Sequence, residues 1–175
     1  MAVALHDAER SSLAPNATTP SQDAMTSPCP ICALHHDQVT LERYEIQRSG
    51  LWVLRHHPNP APLPGWMLLD TLRHCPGPVD FTTDEAIGWG IAVQKASQLV
   101  QQLTQCDRVY VIAFGEGAQH LHLHLIPRLI AEDSTKAWAV ADHYRAVELN
   151  DHPPADPAQV EALILKARQN KIVLG

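Results

Sequence analysis

His120, Leu121, His122, Leu123, His124 and Leu125 alternate without a break. On an extended strand successive side chains point to opposite faces, so the histidines share one face and the leucines the other. The leucine face can enter a core, which makes the segment a half-buried strand. The histidine face sets its imidazoles about 7 Å apart, one to the next. Such a surface can hold a metal ion or a phosphate. Two chemistries are open to it. All three imidazoles can bind one metal. Alternatively, one neutral imidazole attacks phosphorus and forms a phosphoramidate, while a neighbour holds the phosphoryl oxygens and passes a proton to the leaving group.

The rest of the chain supplies a frame for that strand. Residues 1–26 are rich in Ser, Thr, Ala, Asn and Pro without apolar period, and are expected to form a disordered arm. Leu41 to Arg48 reads as a weak strand, Ser49-Gly50 as a turn, and Leu51 to Arg55 as a second strand. The proline-rich stretch Pro58 to Gly65 is a loop, followed by a buried strand over Trp66 to Asp70. Thr82 and Glu85 form a capping-box pattern. Beyond it Trp89, Ala92, Val93, Ala96, Leu99, Val100 and Leu103 recur at helical spacing, one apolar helix face. Arg108 to Phe114 is a strand, and Gly115-Glu116-Gly117 turns the chain toward the histidines. Residues 131–155 are poorly patterned. Asp156-Pro157 then opens a C-terminal helix carrying Val160, Leu163, Ile164 and Ala167. The expected fold is α+β: a mostly antiparallel sheet of about five strands, one long helix packed on it and a C-terminal helix.

The bulk properties narrow the partners. The chain has 175 residues, enough for one domain with a sizeable core. Its formal charge is −6 and no basic stripe is visible, which argues against nucleic acid as partner. No apolar run is long enough to span a bilayer, so no membrane role is expected. The opening Met1 to Asp7 lacks a basic region and a long apolar one, so a cytoplasmic protein is expected. In that compartment the 4 cysteines suggest metal ligation or free thiols. Cys29 and Cys32 form a CxxC pair suited to tetrahedral zinc, needing two more ligands from His35, His36, His74 and His120. His56, His57, His143 and His152 read as surface or turn residues. Trp138 and Tyr144 suit either a pocket or the core.

The alternation from His120 to Ile126 resembles the signature of the histidine triad superfamily of nucleotide hydrolases and transferases. Other segments match in the same order. Cys29-Pro30-Ile31-Cys32 is similar to the zinc-binding CxxC of many bacterial members. Asn59-Pro60, Pro64-Gly65, Trp66 to Asp70 and Arg73-His74 resemble their Asn-Pro to histidine segment. The resemblance covers roughly residues 29–130, so 27–130 is expected to be the catalytic domain. Residues 131–175 are then an extension, packed on the same domain, that matches nothing in the family.

The resemblance implies specific roles. His122 would be the nucleophile that becomes nucleotidylated. His124 would contact the phosphate and assist the leaving group or the incoming water. Cys29, Cys32, His74 and His120 would hold a structural zinc. Asn59 and Asp70 lie where relatives contact the nucleoside, Gln119 lies near the phosphate, and Arg128 is a candidate phosphate anchor. A homodimer is implied on family grounds alone. Two features depart from the pattern. Trp66 stands where a histidine is usual, and the loop from Gly115 to Gln119 is short and lacks the usual hydroxyl residue. The expected activity is hydrolysis or nucleotidyl transfer at the α-phosphate of a nucleoside phosphoramidate or phosphoanhydride. The alternative is a nucleotide-binding or regulatory protein with little turnover. A metalloprotein of another fold, with metal on all three triad histidines, is a third reading.

Overall fold

Five antiparallel strands form one open sheet in the order β1-β2-β3-β5-β4. They are β1 (Glu45–Arg48), β2 (Trp52–His56), β3 (Met67–Thr71), β4 (Arg108–Ile112) and β5 (His122–Arg128). The computed structural model describes residues 29–175; the arm expected over 1–26 lies outside the described residues. Helices α1 (Pro30–Leu34) and α2 (Gln38–Tyr44) precede the sheet, and α3 (Thr83–Thr104) crosses over between β3 and β4. Helices α4 (Val140–Glu148) and α5 (Pro157–Gln169) follow it. No described helix is long and apolar enough to cross a membrane.

Strand register decides which residues form the core and which form a site. Leu54 pairs with Leu69, and Leu69 with Leu123, so these three share a face. With Trp52, Met67 and Leu125 they pack against Ala92, Ala96, Leu99 and Val100 of α3. The alanines let the helix approach closely, and Trp89, Val93 and Leu103 flank the contact. The apolar helix face read from the sequence is therefore the packing face. Ala167 of α5 and Leu174 enter the same core, while Val160 and Ile164 pack on Tyr44 and Ala61. The opposite face of the sheet carries Arg55, Leu68 and His124 in one row, with Asp70 beside His122.

Two expected strands are corrected. Only Glu45–Arg48 of the stretch Leu41 to Arg48 is extended, because Asp37 caps α2 by accepting from the Val39 N–H at 3.1 Å. The histidine strand begins at His122, not His120. Before it, the Leu121 N–H donates to Cys75 O and the Leu121 carbonyl accepts from Thr71 N. Thr71 with Leu121 continues the register, but the Leu121 N–H goes to Cys75, so the ladder ends before His120, which sits beside His35 with ring centroids 5.5 Å apart. The unpatterned stretch 131–155 contains α4. At Gly65 φ is +82°, and an added Cβ would collide with Thr104 Cγ2, so glycine is required there.

The capping box at α3 is present in full. Thr82 accepts from the Glu85 N–H and the Glu85 carboxylate accepts from the Thr82 N–H at 2.7 Å. Glu85 also accepts from Arg73 Nε at 2.8 Å. The bond from Arg73, opposed by burial, holds the Glu85 carboxyl below its ordinary value. Its stabilisation is thus complete above the ordinary glutamate range and fades as pH falls through the lowered folded value. Glu85→Gln, which keeps the box but loses the charge paired with Arg73, is expected to cost about 0.5–1 kcal/mol at neutral pH, the scale of a part-exposed ion pair. Urea unfolding of both proteins across pH checks this: the gap should narrow once Glu85 of the parent is protonated.

Candidate active site and metal centre

Four side chains from three separated segments converge where α1 meets the sheet. The ligand atoms of Cys29, Cys32, His74 and His120 all lie within 4.8 Å of one another. His120 Nδ1 is 3.5 Å from both sulfurs, and His74 Nδ1 is 3.6 Å from Cys32 Sγ. Zn–S near 2.3 Å and Zn–N near 2.05 Å at tetrahedral angles put S and N about 3.6 Å apart. The observed spacing meets that requirement. Hydrogen bonding does not explain it equally well. His120 Nε2 donates to Thr71 O at 2.8 Å, so the neutral ring has a single lone pair, on Nδ1, facing two sulfurs. The donor set and its spacing therefore fit zinc. Burial, together with Cys29 as neighbour, pushes the Cys32 thiol up; a bound cation would reverse that preference. The other two candidate ligands point elsewhere: His36 is exposed, and His35 Nε2 binds Asp70.

One backbone carbonyl and one indole set the tautomers of the other two triad histidines. His122 Nδ1 lies 2.6 Å from His120 O. A carbonyl only accepts, so Nδ1 carries the proton and Nε2 keeps its lone pair. His124 has the reverse arrangement. The Trp66 indole donates from Nε1 to His124 Nδ1 at 3.0 Å, leaving the proton on Nε2. Burial, then the neighbouring His122, His57 and Arg55, pushes His124 down to about 3. It is neutral at physiological pH, with one N–H left to donate. The His122 and His124 rings stand 5.4 Å apart, centroid to centroid. Trp66, the residue that departs from the family pattern, thus orients His124.

His122 and His124 open onto a cleft of about 430 Å³, walled by Ile31 and Leu34 of α1, Arg55, Leu68 and Tyr144. Asn59 lines it, as do Gly117 and Ala118 of the short loop. Gln119 and Arg128 stay outside the lining. The Arg128 guanidinium, expected as a phosphate anchor, instead donates to Thr135 Oγ1 at 2.8 Å and to the carbonyls of Leu129 and Glu132. It knits the loop after β5. Asp70 shares the cleft's face of the sheet but is fully buried and closed off. Arg55 Nε donates to Asp70 Oδ2 at 2.6 Å, Arg55 Nη2 to Oδ1 at 3.2 Å, and His35 Nε2 to Oδ2 at 2.9 Å. Both carboxylate oxygens are engaged, so Asp70 anchors Arg55 and α1, and its full burial keeps it from the cleft. Burial raises its carboxyl, but the Arg55 charge and the His35 bond win and hold it below the ordinary range.

His56 and His57, expected at the surface, are buried. Burial pushes both to about 4. His56 is structural: Nδ1 donates to His57 O and Nε2 accepts from Gly65 N. His57 lines the cleft, where Tyr144 reaches it with ring centroids 5.4 Å apart. Tyr144 therefore belongs to the site, whereas Trp138 is exposed. The sequence carried a signal for Arg55 and Asp70. Each is the lone charge of an otherwise apolar strand, the one with Asp70 read as buried, and buried charges require partners. For Tyr144 the sequence leaves pocket and core open, since residues 131–155 lack a pattern that places it.

A second cavity of about 410 Å³ lies between α2 and α5, sharing only Asn59 with the first. It contains none of the triad histidines.

No protein-family model and no curated protein matches the sequence. Solved structures do match. A histidine triad protein from Bradyrhizobium japonicum is 20% identical, with 75% of this chain and 93% of that one covered, at a TM-score of 0.55. A zinc-bound histidine triad family protein from Mycobacterium smegmatis is 13% identical, with 82% and 98% covered, also at 0.55. A hypothetical histidine triad nucleotide-binding protein from Sulfolobus tokodaii is 15% identical, with 81% and 93% covered, at 0.55. With the five-stranded antiparallel sheet, the long crossover helix and the triad at the start of β5, these matches establish that the chain has the histidine triad fold.

Proposed function

We propose that the cleft is the active site of a nucleotide hydrolase or nucleotidyl transferase acting through a covalent nucleotidyl-His122. The observation that carries this reading is the tautomer pair: a lone pair on His122 Nε2 beside an N–H on His124 Nε2. His122 Nε2 attacks the α-phosphorus, an N–P bond forms, and the bond to the leaving nitrogen or oxygen breaks with its electron pair. The ring becomes cationic, and the Nδ1–H bond to the His120 carbonyl stabilises that charge. His124 donates a hydrogen bond from Nε2 to a phosphoryl oxygen or to the departing group, which takes its proton from solvent. Water or a second phosphate then attacks phosphorus and returns the electron pair to His122, and the proton that water loses goes to solvent, balancing the one the departing group took up. Cys29, Cys32, His74 and His120 would hold a zinc whose task is structural: it fixes the segment that supplies the His120 carbonyl.

Release of AMP from an adenosine phosphoramidate, a lysyl-adenylate and diadenosine polyphosphates tests the reading. Release from at least one is expected, and the best substrate names the leaving group. One observation favours a binding protein with little turnover: Gly117 and Ala118 of the short loop bring no hydroxyl to the cleft. Tight nucleotide binding without release from any of these compounds would establish that second reading.

A further inference from the structure

Arg55 is buried yet lines the cleft, and this combination has no structural necessity. A guanidinium does not shed its proton, so burying one costs desolvation that its partner only repays. A buried ion pair of this kind contributes little more than apolar packing would. Asp70 accepts from Nε and Nη2 of Arg55. Nη1 has no partner among the described residues. His35 holds Asp70 from the other side at 2.9 Å, so the guanidinium is fixed in place. Arg55, Leu68 and His124 lie in one row across β2, β3 and β5. Two strand spacings separate the ends of that row, about 10 Å. A preset guanidinium edge thus stands at the far end of a cleft whose near end holds the phosphoryl group. Glu148 is the one carboxylate of the lining, and it makes no ion pair with Arg55 among the described residues.

We infer that Arg55 is a specificity-determining residue that receives a second oxyanion, phosphate or carboxylate, on the part of the ligand remote from the phosphoryl group that His122 attacks. The inference rests on the reading of the cleft as a nucleotide site. A ribose hydroxyl can also accept from a guanidinium, but only an oxyanion meets the fork with two charge-assisted hydrogen bonds.

Two ligand pairs test it by calorimetry on the full chain. AMP is compared with adenosine 3′,5′-bisphosphate, and UMP with orotidine 5′-monophosphate, which differ by one phosphate and one carboxylate. At least one doubly anionic ligand is expected to bind about tenfold tighter than its partner, the scale of a charge-assisted bidentate contact. The pair that responds identifies the oxyanion. In the doubly substituted Arg55→Gln, Asp70→Asn protein, which keeps hydrogen bonds but removes both charges, the affinity ratio within the responding pair should fall to about one, whatever happens to the monophosphate affinity itself. Arg55→Lys keeps the charge without the fork, and should keep only part of the preference; it carries the test where the double variant does not fold. Equal affinity within both pairs, with AMP and UMP still bound, overturns the role of Arg55 and leaves the nucleotide site standing. Failure of all four to bind overturns both.

Discussion

Replacing His122 with alanine is expected to lower AMP release by at least about 10³-fold, the scale for loss of a nucleophile, and to abolish any covalent nucleotidyl adduct. Stability should change by less than about 1 kcal/mol, as for substitutions away from the core. The reasoning is geometric. The His122 ring is half exposed at the cleft, and its one hydrogen bond runs to the His120 carbonyl. Removing it leaves one acceptor to water and no cavity in the core. His124 cannot take over the attack, because its Nδ1 lone pair is spent on the Trp66 indole. Intact-mass measurement during turnover, beside the rate of release, checks both halves. An adduct that survives in His122→Ala would move the nucleophile to another residue. Undiminished release without any adduct would replace covalent catalysis by direct attack of water.

The residues of this prediction differ in how far the sequence reveals them. Alternation around His122 and His124 is local, and strand period alone puts them on one face. The capping box and the apolar face of α3 are local in the same way. His120 follows the alternation in sequence but lies outside the strand, since the Leu121 N–H bonds to Cys75 and not to Thr71. Its place in the metal cluster follows from the family resemblance, not from period. The contacts that tune the site join residues far apart in the chain: Trp66 to His124, His35 to Asp70, Tyr144 to His57. A single sequence encodes such contacts only as unexplained polar groups in apolar strands. Arg55 and Asp70 are that kind of residue, and the full burial of Asp70 shows why the carboxylate expected at a ribose is unavailable for one.

Cys29→Ser is expected to have the largest effect on the fold itself. A structural zinc contributes on the order of 10 kcal/mol to its folded site, comparable to the whole stability of a domain. Helix α1 has only 5 residues, too short to persist without tertiary anchors. Its anchors are the cysteines and His35. If α1 detaches, the Arg55–Asp70 pair loses His35 and its cover together, and two charges built for a dry site meet water. A loss of about 3 kcal/mol or more would lower the melting temperature by about 10 °C in a chain of this size. Elemental analysis should find about one zinc per chain in the parent and none in the variant. His35→Ala separates the two anchors: it should lower the melting temperature yet retain zinc, because His35 binds Asp70 and not the metal cluster. His36→Ala, at an exposed position, should leave both unchanged. Zinc retained at full stoichiometry in Cys29→Ser with an unaltered melting temperature would remove the metal from the account of the fold. The nucleophile would then owe its orientation to β5 and the Thr71 and Cys75 backbone alone.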